Sequence, residues 1–91
     1  PPLVIDVRSP GEYSSEHIPG AVSIPAPTIN RRLDQIKAAG GNAVLYCNDL
    51  HFTKFAEQVL MKRGVTEFYH LEGGLNGWRD AGLELESSLP E

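Results

Sequence analysis

Four short apolar segments, separated by stretches of helical character, are the feature that most limits the fold of this 91-residue chain. They cover residues 3–7, 21–24, 43–47 and 67–71. The third segment, which ends at Cys47, has no charged residue and is typical of a strand buried on both faces of a parallel sheet. Strands that alternate with helices at this spacing predict an open parallel α/β sheet of about four strands flanked by helices.

Local signals predict where several helices begin and end. Residues 9–12 read S-P-G-E, which is a capping box with proline at the first helical position. Thr53 is predicted to be the N-cap of an amphipathic helix that stops at Gly64. Trp78 lies in a short last helix that ends near Gly82, and we expect its side chain to be largely buried.

Length and composition predict one domain over residues 1–91, with a frayed tail at 86–91. No apolar run approaches the roughly 18 residues that cross a bilayer, so no membrane span is expected. A net charge of −4 argues against nucleic acid as a partner. One cysteine excludes an internal disulfide, and the three histidines lack ligand spacing. We therefore expect no metal and no other cofactor.

Cys47 is the first candidate for chemistry, because sites in open parallel sheets lie at the carboxyl ends of the strands. Backbone N–H groups of the following loop, together with the start of the next helix, would stabilise negative charge on its sulfur. The alternative is a buried structural cysteine. Its place at the end of a strand, just before a polar loop, favours the nucleophile.

Other polar residues near this edge admit two interpretations each. His51 could act as a base for Cys47, although we favour a solvated side chain. Asp49 is better explained as a turn or cap residue, since a carboxylate disfavours a nearby thiolate. Asp6 and Arg8 flank the end of the first strand, where they either pair with the loop backbone or form a surface ion pair.

Several short motifs occur here in the same order as in one family of proteins. They are Asp6-Val7-Arg8-Ser9-Pro10, Tyr13, His17-Ile18-Pro19-Gly20-Ala21, Leu45-Tyr46-Cys47, Leu71-Glu72-Gly73-Gly74 and Trp78. Together they resemble a rhodanese domain over almost the whole chain. The resemblance implies an α/β sheet and a cysteine cradle that carries a persulfide during sulfur transfer. It also implies a strand and a helix before the D-V-R segment, which this sequence lacks.

The loop departs from the family pattern C-x-x-G-x-R-S/T. Cys47 and Thr53 match it, but Leu50 replaces the glycine and Phe52 replaces the arginine. Leucine at a position where glycine supplies a positive φ would cost on the order of 1 kcal/mol. We therefore expect a loop of different shape, without the guanidinium that binds an anion.

Two functions follow from the resemblance. The first is a sulfurtransferase in which Cys47 takes a sulfane sulfur from thiosulfate or a persulfide and passes it to cyanide or a thiol, which can belong to a protein. The resemblance implies a site made of Cys47 and the loop amides, with Asp6 and Arg8 in support. The loop residues are Asn48, Asp49, Leu50, His51, Phe52 and Thr53. The missing arginine and the presence of Asp49 make thiosulfate a poor donor.

The second function is an inactive binding or regulatory module in which Leu50 and Phe52 are exposed apolar anchors. A cysteine phosphatase is disfavoured, because its C-x5-R signature requires arginine where Thr53 stands. A free reactive thiol favours the reducing cytoplasm.

Overall fold

The computed structural model describes residues 1–89, which contain four strands and five helices. The strands are β1 (Leu3–Asp6), β2 (Val22–Ser23), β3 (Ala43–Tyr46) and β4 (Tyr69–His70). The helices are α1 (Pro10–Ser15), a 3₁₀ helix (Ala26–Arg31), α2 (Leu33–Ala38), α3 (His51–Lys62) and α4 (Gly74–Asp80).

All four strands are parallel and lie in the order β2-β1-β3-β4. The central pair is β1 and β3, in register with Ile5 opposite Leu45. This is the parallel α/β sheet flanked by helices that the alternating pattern predicted. Because β3 is central, the residue that follows it, Cys47, lies in the middle of the carboxyl edge of the sheet.

Apolar residues fill both faces of β3, as its uninterrupted apolar sequence predicted. Leu45 points into a core that includes Ile5 and Leu60, whereas Tyr46 points to the opposite face beside Leu75. This alternation is the ordinary period of a strand. The Tyr46 hydroxyl is not orphaned by its burial, because it accepts a hydrogen bond from the backbone N–H of Ile18 at 3.1 Å.

Three local predictions can be compared with the helices of the structure. The capping box at the start of α1 is present, with the Ser9 side chain accepting from the backbone N–H of Glu12. The assignment of Thr53 as an N-cap is wrong, since α3 begins at His51 and Thr53 lies inside its first turn. Trp78 is partly rather than largely buried, and its indole N–H donates to the Glu84 carbonyl at 2.8 Å.

The segment expected to be frayed is attached to α1 and its flank over part of its length. Glu86 forms an antiparallel bridge with His17, and the Ser88 N–H donates to the Ser14 carbonyl at 2.9 Å. Pro90 and Glu91 lie outside the described residues. Within residues 1–89, no helix combines the length and apolarity needed to cross a membrane.

Candidate active site

The loop that follows β3, residues 47–50, is called the cysteine loop, and backbone hydrogen bonds attach it to the start of α4. Leu75 donates its backbone N–H to the Cys47 carbonyl at 2.8 Å, and Asn76 donates to the Asn48 carbonyl at 3.0 Å. In a trans peptide the N–H points opposite the preceding carbonyl. The N–H groups of Asn48 and Asp49 therefore point away from α4.

Gly74 makes this close approach possible, a role that sequence reasoning missed. Its φ is +60°, and a Cβ atom placed there would lie 2.5 Å from the Asp49 carbonyl oxygen and 2.7 Å from that of Cys47. Both the backbone conformation and the space exclude other residues. The pair Gly73-Gly74 in the sequence was the available signal, but it does not reveal which loop approaches it.

The Cys47 sulfur is fully buried and has two polar neighbours. The Thr53 hydroxyl, itself fully buried, donates to Sγ at 3.1 Å. The Asp49 carboxylate oxygen Oδ1 lies 3.9 Å from Sγ. Thr53 reaches the sulfur because the first turn of α3 begins at His51 and turns the threonine inward.

The Asp49 carboxylate accepts hydrogen bonds from backbone N–H groups that were predicted to face a substrate. Its Oδ1 accepts the His51 N–H at 2.7 Å, and this bond is the main cause of a lowered pKa of the Asp49 carboxyl. The N–H groups of Leu50 and of Asp49 itself lower that pKa further. The loop thus holds a negative charge beside the sulfur. That charge is the carboxylate of Asp49 and not a group of a substrate. The interpretation of Asp49 as a turn residue agrees with this geometry.

Leu50 does not adopt the positive φ that a glycine at this position would supply. It has φ −126° and ψ −1° and forms the N-terminal boundary of α3, so the backbone strain that leucine would suffer in the left-handed region does not arise. His51 is exposed and packs edge-on against Phe52, with ring centroids 5.4 Å apart. Among the described residues, Cys47 Sγ accepts a hydrogen bond from Thr53 and donates to the Asp49 carboxylate, and neither of these partners is His51.

Asp6 and Arg8 form a buried ion pair rather than a surface pair, and Arg8 also donates to the backbone carbonyls of Glu12 and Glu16. Arg8 Nη2 lies 2.8 Å from Asp6 Oδ2, and the two side chains are 4% and 0% exposed. Arg8 Nη1 also donates to Asn48 Oδ1 at 3.2 Å, which joins β1 to the loop through a side chain.

Glu12 completes this connection and was not identified from the sequence as a site residue. Its Oε2 accepts from Asn48 Nδ2 at 2.9 Å, and that hydrogen bond is the main cause of a lowered pKa of the Glu12 carboxyl. The Asn48 side chain is thereby fixed at both ends, by Arg8 and by Glu12. Within residues 1–89, no group of three acidic, cysteine or histidine side chains is arranged to hold a metal ion.

The fold and the cysteine loop together define the class to which this chain belongs. Residues 1–81 match the family described as Rhodanese-like domain, so the chain is a member of the rhodanese-like family. An Escherichia coli rhodanese solved with anions has the same fold: the TM-score is 0.75 at 25% identity, over 96% of this chain and 99% of that one.

Two curated relatives are similar in sequence, and one of them has a named activity. The uncharacterised protein slr1261 of Synechocystis is 43% identical over 82 residues, which are 89% of this chain and 45% of that protein. The thiosulfate sulfurtransferase PspE of Escherichia coli is 35% identical over 74 residues, which are 78% of this chain and 68% of that protein. The chain therefore spans about half the length of the first relative. Named sulfurtransferases are among its relatives.

Proposed function

We propose that this domain transfers sulfane sulfur through a persulfide on Cys47, and that it uses an organic persulfide rather than thiosulfate as donor. The observation that carries the proposal is the pair of groups on the Cys47 sulfur: a hydroxyl at 3.1 Å and an amide-held carboxylate at 3.9 Å. The Thr53 hydroxyl donates to the sulfur and so stabilises negative charge on it. The loop amides already stabilise one anion next to the sulfur, the Asp49 carboxylate.

The reaction proceeds in two steps of nucleophilic catalysis. The Cys47 thiolate attacks the outer sulfur of the donor, the donor's S–S bond breaks, and a thiolate leaves. An acceptor thiolate or cyanide then removes that sulfur from Cys47. Because Cys47 is buried, a side chain must move first, and the exposed Asp49 is the one that we propose to swing outward.

Asp49 also accounts for the proposed choice of donor. A thiosulfate dianion would have to approach a carboxylate at close range and replace it on the loop amides, with no arginine at position 52 to compensate. A persulfide whose organic group is uncharged reduces this repulsion. The physiological donor and acceptor are a small persulfide and a thiol, free or on a protein, and a reducing cytoplasm would maintain Cys47 for this role.

A binding module without catalysis is the second candidate, favoured by the full burial of Cys47 and by Phe52, whose side chain is 51% exposed. Intact-mass spectrometry separates the two. The protein is incubated with an organic persulfide and with thiosulfate, beside Cys47→Ser and Cys47→Ala variants. We expect one added sulfur with the persulfide in the parent alone. No adduct with either donor would leave the binding module as the function.

A further inference from the structure

A cavity of about 290 Å³ opens beside the cysteine loop, between the start of α1, the segment after β2 and the start of α3. Most of its wall is apolar. The apolar lining residues are Val7, Pro10, Pro25, Pro27 and Phe52. Small-molecule pockets begin at about this size, which suits one ring or a short branched chain.

The charged groups in this wall are already satisfied by protein partners. The Arg8 guanidinium is bonded to Asp6, to the Glu12 and Glu16 carbonyls and to Asn48. The Glu12 carboxylate is bonded to Ser9 and Asn48. A ligand that brought its own charge would find no counter-charge in the cavity without breaking one of these bonds, and its desolvation would be costly.

Two residues in the wall of the cavity connect it to the cysteine loop. Phe52, in its wall, directly precedes Thr53, whose hydroxyl donates to Cys47 Sγ at 3.1 Å. Arg8, also in the wall, donates to the side chain of Asn48, which directly follows Cys47. A group bound in the cavity would therefore present its own sulfur to the cysteine loop.

We infer that this cavity binds the organic group of the sulfur donor, and that the donor is a small apolar persulfide, aryl or branched alkyl, without a charge on that group. This inference rests on the proposed function. In the transfer step, the Cys47 thiolate attacks the terminal sulfur of R–S–SH. A bond forms between Cys47 Sγ and that sulfur, the donor S–S bond breaks, and R–S⁻ leaves. The products are Cys47–S–SH and R–S⁻, so no outside oxidant or reductant is required.

The test compares benzyl persulfide with carboxymethyl persulfide, a charged donor, in time-resolved intact-mass measurements of Cys47 loading. The variants are Pro27→Trp, which fills the cavity, and Pro27→Ala, which removes the same ring without filling it. We expect benzyl persulfide to load the parent about tenfold faster at low concentration. Pro27→Trp should remove that advantage, whereas Pro27→Ala should keep most of it.

A second measurement separates the failure of this inference from failure of the proposed function. Benzyl methyl sulfide carries the same group but no transferable sulfur, and its binding is followed by NMR shifts of the residues lining the cavity. Shifts in the parent that disappear in Pro27→Trp would support the cavity even if no donor loaded Cys47. Equal loading by both donors in all three proteins, with no shifts, would overturn the inference and leave sulfur transfer standing.

Discussion

Thr53 donates a hydrogen bond from its hydroxyl to the Cys47 sulfur over 3.1 Å, and both side chains are fully buried. The threonine is six residues away along the chain and reaches the sulfur because α3 starts two residues before it. A buried donor so placed stabilises electron density on sulfur without needing solvent.

Replacing this hydroxyl should slow the chemistry of Cys47 while preserving the fold. Thr53→Val has nearly the same shape, and the loss of one hydrogen bond of about 0.5–1.5 kcal/mol predicts alkylation by iodoacetamide roughly two- to tenfold slower. Thr53→Ser keeps the hydroxyl and should react like the parent. A valine variant with unchanged melting temperature and unchanged alkylation rate would contradict this role.

Gly74→Ala should disrupt the loop more than strain alone can explain. A Cβ there would lie 2.5 Å from the Asp49 carbonyl, in addition to the unfavourable φ of +60°. Gly82→Ala is the matched control, since Gly82 has φ +74° but open space around it. We expect Gly82→Ala to cost about 1 kcal/mol in urea unfolding and Gly74→Ala at least 2 kcal/mol more. Equal losses in the two variants would mean that the loop can move away from α4.

Breaking the buried ion pair from one side should be more harmful than removing both charges. Arg8→Met leaves the Asp6 carboxylate buried without its partner, which costs about 3–5 kcal/mol. The double variant Asp6→Asn with Arg8→Met removes that charge and should recover part of the loss. Urea unfolding of the three proteins measures the difference, and a double variant less stable than Arg8→Met would refute this account.

Glu12 should stabilise the protein in a pH-dependent way. Because its folded-state pKa is lowered, mainly by the Asn48 side chain, its contribution is present above the ordinary pKa of 4.5. That contribution is lost as the pH falls through the lowered value. The melting temperature of the parent should therefore exceed that of Glu12→Gln near pH 6, and the gap should narrow towards pH 3. In an Asn48→Ala background the gap should depend less on pH.

Thiosulfate should become a better donor when the loop loses its own anion. Asp49→Asn removes the carboxylate held on the amides, and Phe52→Arg then adds a cation where the family pattern has one. A charge-assisted hydrogen bond of about 1.5–3 kcal/mol predicts a ten- to hundredfold gain in thiosulfate:cyanide kcat/KM for the double variant. Asp34→Asn, equal in charge but away from the loop, should have no effect. A parent already fast with thiosulfate would contradict the proposed exclusion.

Much of the fold could be predicted because periodicity and capping are local. The uninterrupted apolar segment ending at Cys47 predicted a central parallel strand, and Ser9 with Glu12 predicted the start of α1. The contacts of the site could not be predicted in this way. Thr53 looked like a cap, since sequence alone does not show that Leu50 forms the boundary of α3. The Asn48 contact with Glu12 joins residues 36 positions apart, which depends on the tertiary fold.

The cysteine loop is anchored to α4 through its carbonyl groups, with Leu75 and Asn76 supplying the amides. Every amino acid offers the same carbonyl, so this attachment is indifferent to the side chains of positions 48–50. Substitution of Leu50 or Asp49 during evolution could therefore alter donor preference while the backbone of the cysteine loop kept its shape. Gly74 does not have this freedom, because a Cβ atom there would meet the backbone carbonyls of the loop, and no side-chain change within the loop could easily relieve that contact. Donor preference in such a domain can diverge quickly along the loop while the glycine beneath it stays fixed.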